Sequence, residues 1–161
     1  MKRNALLLFA TVFPCGAAFA QLPGLPIVRD TIYSDILKEE RTLEIVLPAD
    51  YGVARGLRTG VIYVTDGEWN TRIASDIQQF LGIQFIPSHI IVGIDDAPQG
   101  KGNMRYRDLT PTRLPDDHGS PASGGGEAFL SFITKEVIPY IDKKYANNGK
   151  RILFGHSLGG L

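Results

Sequence analysis

The chain has 161 residues, 43% apolar and 21% charged, and its 17 basic and 17 acidic side chains cancel. That balance excludes a disordered or fibrous chain, and without a run of five or more like charges it predicts no surface for nucleic acid or anionic membrane. One domain acting on a small neutral or mildly anionic partner is the starting expectation.

Residues 1–20 are a separate object. Lys2 and Arg3 precede an apolar run over 5–13, and Ala18-Phe19-Ala20 supplies a small-x-small cleavage pattern, so the segment is predicted to be a secretory signal peptide. Nine residues of helix span roughly 13 Å against a hydrocarbon core of ~30 Å, which argues against a stable membrane anchor. The single cysteine, Cys15, follows Pro14, where a lipoprotein cleavage site would carry a small residue. Cleavage after Ala20 leaves an exported chain, periplasmic or secreted, that starts at Gln21 and carries no thiol. Disulfides and thiolate metal sites are then outside its chemistry.

After a Pro-containing leader at 22–26, strand-like segments at 28–37 and 41–47 flank Lys38-Glu39-Glu40 and predict a hairpin ending at Pro48. The run Gly60-Val61-Ile62-Tyr63-Val64-Thr65 is continuously apolar and β-branched, the pattern of a strand buried on both faces of a parallel sheet. Ile73, Ile77, Phe80 and Leu81 then repeat at helical spacing, with Asn70 placed to cap the start and Gly82 to close the end. His89-Ile90-Ile91-Val92-Gly93-Ile94 is a second buried strand, and strand, helix, strand implies a right-handed crossover. Residues 97–124 show no periodicity and contain four Gly and four Pro; a connection of that length in a compact domain is expected to border a binding face. A long helix follows, with Phe129, Ile133, Val137, Tyr140, Ile141 and Tyr145 as its apolar stripe and a kink at Pro139. Arg151-Ile152-Leu153-Phe154 is a third buried strand running into Gly155-His156-Ser157-Leu158-Gly159-Gly160. No internal repeat or low-complexity tract interrupts this order.

Gly155-x-Ser157-x-Gly159 directly after a buried strand is the pattern of a nucleophile elbow, in which a serine sits on a strained strand-to-helix turn. The glycines are expected because a β-carbon at either position would collide with neighbouring chain. The alternative is that Ser157 merely caps the following helix. A serine hydroxyl needs an adjacent base and a pair of oxyanion donors, and the backbone N–H of Leu158 is the expected first donor.

Four ordered segments carry a resemblance: residues 61–69 around Asp66-Gly67-Glu68-Trp69, residues 105–111 (Arg105-Tyr106-Arg107-Asp108-Leu109-Thr110-Pro111), residues 123–130 around Gly124-Gly125-Gly126-Glu127, and the elbow. Together they resemble the putative-esterase family of α/β-hydrolases, which includes siderophore (enterobactin-type) esterases, esterase D-like enzymes and, more distantly, mycobacterial mycolyltransferases. The resemblance runs from about Thr42 to Leu161. It implies that the backbone N–H of Glu68 gives the second oxyanion donor; the Glu68 side chain receives no role.

In this fold the acid and then the histidine of the triad follow the serine. The expectation is therefore that residues 21–161 are the N-terminal part of an α/β-hydrolase domain, cut after the elbow, with an open apolar edge at Phe154. Expressed alone, such a piece is expected to be insoluble or inactive. Of the histidines, His156 is expected to pack beneath the turn and His89 to be structural, while His118, beside Asp116 and Asp117, stands in the wrong chain order for the base. No histidine pair has metal-ligand spacing, so neither metal nor cofactor is expected. Arg105, Arg107 and Arg113 border the expected pocket, where they either attract an anionic substrate or are neutralised by Asp108, Asp116 and Asp117. Trp69, Tyr106 and Met104 are read either as pocket lining or as core.

The expected architecture is a three-layer α/β-hydrolase fold, incomplete, with a mostly parallel sheet and an N-terminal antiparallel hairpin. The expected activity is serine-dependent hydrolysis of a small-molecule carboxylic ester through an acyl-enzyme, with siderophore-like esters among the candidates. The alternatives are acyl transfer to an alcohol on the same fold and a non-catalytic binding module that keeps the elbow as scaffold.

Overall fold

The computed structural model describes residues 24–52, 59–82, 85–98, 101–115 and 123–161. The expected signal peptide with Cys15, and His118 with Asp116 and Asp117, lie outside the described residues.

The predicted hairpin is present as β1 (Val28–Ser34) and β2 (Glu39–Val46), paired antiparallel from Ser34 against Glu39 to Val28 against Ile45. Its turn places Lys38 at φ 55°. β3 (Thr59–Thr65), the helix α1 (Gly67–Gly82) and β4 (His89–Ile94) follow, and the two strands pair parallel in register from Gly60 against His89 to Thr65 against Ile94. β5 (Asn147–Phe154) pairs parallel with the other edge of β3. The strand order is β1-β2-β4-β3-β5. Because β2 also runs antiparallel to β4, the described sheet is mixed: a three-stranded parallel run joined to an antiparallel hairpin.

Strand alternation sends side chains to both faces. Leu43, Ile45, Val61, Tyr63, Ile90 and Val92 meet Phe129, Phe132, Ile133, Val137 and Ile141 on one side, whereas Val46, Val64 and Ile91 meet Ala74, Leu25 and Ile27 on the other. The layers are thus α1, sheet, and the helical run that begins at Gly126. That run is α3 (Gly126–Phe132), a widened π turn (Ile133–Val137) and α4 (Ile138–Lys144). Pro139 has no N–H to donate and its ring crowds the carbonyl four residues back. The helix answers at the expected position by widening just ahead of the proline, with the Ile138 N–H reaching Ile133 O. Among the described residues of the 97–124 segment lies one short helix, α2 (Arg105–Leu109).

Two expectations are corrected. The stripe Ile73, Ile77 and Phe80 of α1 faces outward, and Gly67, Thr71, Ser75 and Gln78 face the sheet. The reason is proximity: a β-carbon on Gly93 of β4 would overlap the Thr71 hydroxyl and come 3.1 Å from Gly67 Cα, so only small side chains fit between helix and strand. The helix accordingly starts at Gly67, and Asn70 is no cap; its amide donates to Thr65 O at 3.1 Å. β5 has the composition of a buried strand; Ile152, Leu153 and Phe154 are each about half exposed, with β3 the only sheet neighbour of β5 among the described residues.

A charged network inside the fold went unrecognised. Arg41 is fully buried in phase with Leu43 and Ile45. It pairs with Asp108, donates to Glu39 at 3.0 Å and to Asp95 O at 2.8 Å, and lies 5.5 Å from the centre of the Phe129 ring. Arg107 binds Glu39 and Asp108, and Lys101 reaches Glu39 at 3.0 Å. These pairs fasten the loop carrying α2 to β2. Burial by itself raises the Glu39 carboxyl, but bonds from Arg107 and Lys101 and the charge of Arg41 outweigh it and hold Glu39 at about 2. The folded value lies below the unfolded one, so this contribution is complete above the ordinary carboxyl range and is lost as pH falls toward 2.

In the whole protein, Arg41→Ala removes the buried cation and leaves Glu39 and Asp108 to Arg107 and Lys101, and should lower the unfolding free energy by about 3 kcal/mol in urea titration. Between pH 7 and pH 3 the wild type should lose more stability than Glu39→Gln. Residues 1–161 expressed alone should associate through β5 and the outer face of α1; a monomer at every concentration in sedimentation would contradict this.

Candidate active site

At the end of β5 the chain turns through Gly155 and His156 into a single 3-10 turn, Ser157–Gly160. Ser157 has φ 57°, a left-handed conformation that costs a non-glycine residue of order 1–3 kcal/mol and persists only where its surroundings impose it. The imposition is steric. A β-carbon on Gly155 would overlap the carbonyl oxygen of Gly159, and one on Gly159 would overlap the Thr65 hydroxyl and come 2.8 Å from Asp66 Oδ2. The elbow therefore rests against the end of β3. The Thr65 hydroxyl lies 3.3 Å from Gly159 O and 3.5 Å from Phe154 O, and Gly159 N–H donates to His156 O at 3.0 Å. Ser157 is exposed.

Asp66 is the second strained residue, at φ 54°, a region that Asp tolerates better than most side chains. Its carbonyl accepts from Trp69 N and Asn70 N at 3.0 and 2.9 Å, which begins α1. Its carboxylate takes both Nε and Nη2 of Arg105. Burial raises the Asp66 carboxyl, yet the Arg105 guanidinium, a bond with Asp96 and the His156 ring outweigh it and hold Asp66 below its usual value. Glu68 is the second residue of α1 and Leu158 the second of the elbow turn. First-turn N–H groups have no partner within their own helix, and these two stand on strand ends that the Gly159–Asp66 contact brings together.

Leu158 and Gly159 line a cleft of about 500 Å3. Its walls include Leu109 and Pro111 from the loop, Phe129 and Leu130 from α3, and Leu153 of β5. The long connection thus borders this cleft. Trp69, Tyr106 and Met104 do not line it, and Trp69 and Tyr106 are exposed instead of core.

His156 is exposed and not packed beneath the turn, which corrects its expected place. His89 opens β4, its carbonyl held by Gln78 Nε2 at 2.6 Å and its ring against Gly60, as a structural histidine would be. Arg105 and Arg107 are engaged by Asp66, Glu39 and Asp108, so their charge is compensated within the fold. Among the described residues no group of three or more His, Cys, Asp or Glu side chains is placed to hold a metal ion. The residues that sequence reasoning missed are Asp66, Asp96 and the Arg41 network. A charged side chain in phase with apolar strand neighbours was the available signal for Arg41, whereas Asp66 and Asp96 read only as strand ends.

The fold agrees with the comparisons. The chain belongs to the family described as "Putative esterase", whose model matches residues 34–161. It is 36% identical over 123 residues to the ferri-bacillibactin esterase BesA of Bacillus subtilis, covering 71% of this chain and 41% of that protein. Over 71 residues it is 42% identical to the siderophore enterobactin esterase of Emericella nidulans, covering 35% and 22%. The crystal structure of an IroE-like serine hydrolase from Shewanella oneidensis superposes with a TM-score of 0.71 at 34% identity, over 84% of this chain and 44% of the other. The architecture is of the α/β-hydrolase type, and the chain spans less than half the length of these relatives.

The two elbow glycines should differ when substituted. In the whole protein Gly155→Ala meets rigid backbone and should cost more stability than Gly159→Ala, which meets side-chain atoms; overpacking of this kind costs about 1–3 kcal/mol. Chemical denaturation of both variants checks the order.

Proposed function

We propose that the whole protein hydrolyses carboxylic esters, with Ser157 as nucleophile and the backbone N–H groups of Leu158 and Glu68 as oxyanion donors. The observation that carries this reading is the exposed Ser157 at φ 57° on a turn that closes on itself at Gly155 and rests on the end of β3 through Gly159. Family membership supports it.

In the first half-reaction Ser157 Oγ bonds to the acyl carbon, its proton passes to a base, and the alcohol leaves with a proton after the tetrahedral oxyanion collapses. In the second half-reaction water attacks the acyl-serine, the acid leaves, and the hydroxyl is restored. The base and its acidic partner are assigned to positions after Ser157, following the chain order of this fold. The apolar cleft beside Leu158 and Gly159 offers a place for one side of the ester.

Siderophore-type esters are the proposed substrate class, supported by the names of two relatives, a ferri-bacillibactin esterase and a siderophore enterobactin esterase. Export is part of the proposal, supported by the leader pattern of residues 1–20.

A fluorophosphonate probe should label the whole protein and fail to label Ser157→Ala. Turnover of an activated ester by that variant should fall by about 10^4-fold or more. Unchanged labelling of Ser157→Ala would overturn the assignment.

A further inference from the structure

Asp96 follows the end of β4 and is fully buried. Its backbone is a junction: the N–H donates to Glu68 Oε2 at 3.2 Å, and the carbonyl accepts from Met104 N at 3.0 Å. Its side chain is in a different position, because neither carboxyl oxygen has a hydrogen-bond donor. Arg105 is turned to Asp66 and leaves its Nε 4.0 Å from Asp96 Oδ2, too far for a hydrogen bond. The ionisable groups facing Asp96 are Asp66 from the end of β3, Glu68 from α1, Asp108 from α2, and Arg105 as the cation.

An ionised Asp96 would be a buried charge with no donor, beside three other carboxylates. Such a group takes up a proton instead. Both carboxyls lie about the Arg105 Nε; as two carboxylates they can exchange no hydrogen bond, whereas with one proton Asp96 can donate to Asp66. Burial first, then that bond and the charges of Asp66, Glu68 and Asp108, push the Asp96 carboxyl up to about 9.

Asp66 is the residue whose side chain lies under Gly159 and whose carbonyl begins α1. We infer that Asp96 is a positioning residue that works as a neutral carboxylic acid, donating its proton to Asp66 and thereby holding the Asp66-Gly67-Glu68 turn against the elbow. Neutrality matters as well as the bond. With Asp96 protonated, Asp66 and Arg105 compensate each other; with Asp96 ionised, an uncompensated negative charge is added behind Glu68, whose N–H is the proposed oxyanion donor, and that charge opposes the transition state.

The inference rests on Ser157 as nucleophile, and the test separates the two. In the whole protein at pH 7, infrared difference spectroscopy should show a protonated carboxylic C=O band that is absent from Asp96→Asn, a readout independent of turnover. Asp96→Ala should lower kcat by about 10- to 100-fold with little change in KM, through a displaced turn. Asp96→Asn, which still donates to Asp66, should recover most of that loss. The wild-type kcat should decline as pH rises through about 9, and this alkaline limb should be missing in Asp96→Asn. Absence of the band at pH 7, or the same alkaline limb in both proteins, overturns the role of Asp96. Fluorophosphonate labelling that persists in Ser157→Ala overturns the nucleophile whatever the infrared result.

Discussion

Three strand ends meet at glycine positions, and the geometry of the candidate site follows from how closely they approach. Gly159 lies on Thr65 and Asp66, Gly155 lies on Gly159, and a β-carbon on Gly67 would come within 2.6 Å of Ile94 N and 2.7 Å of Gly93 C. The elbow, the end of β3 and the end of β4 are thereby locked into one block. Within that block Ser157 and Asp66 adopt left-handed backbone, which neither would hold as an isolated turn. Strain at the serine is a consequence of contact, and contact is possible because three positions lack side chains.

The same crowding concentrates charge. Glu39, Asp66, Asp95, Asp96 and Asp108 lie at or near the strand ends, with Arg41, Arg105 and Arg107 among them. Where a guanidinium reaches a carboxylate, as at Glu39 and Asp66, the carboxyl is held down. Where none does, it rises: burial first, then the charges of Glu44 and Glu68, carry Asp95 to about 7 against the opposing pull of Arg29 and Arg41. Of the two readings of the arginines in the 105–113 segment, neutralisation within the fold holds at Arg105 and Arg107, which are tied into this lattice.

The helix α1 shows how a periodic pattern can be right about secondary structure and wrong about orientation. Ile73, Ile77 and Phe80 do mark a helix, but its inward face is Gly67, Thr71, Ser75 and Gln78. The inward face is chosen by distance to β4, which Gly93 makes short, and no property of residues 67–82 alone encodes that distance. β5 shows the same dependence: Ile152, Leu153 and Phe154 are half exposed where β3 is the only sheet neighbour among the described residues.

What the amino-acid order determined by itself was local. β-branched runs made strands, a proline marked where a helix would widen, and Gly155-x-Ser157-x-Gly159 after a strand marked the elbow, because each depends on sterics between residues a few positions apart. What tertiary structure alone decided was pairing across long separations. Arg41 meets Asp108, Gly159 meets Asp66, and Asp66 meets Asp96 only when strands distant in sequence lie side by side. Whether a charge is compensated or must take up a proton depends on that neighbourhood, since the energy of a buried ionisable group is set by the donors within reach and not by its place in the chain.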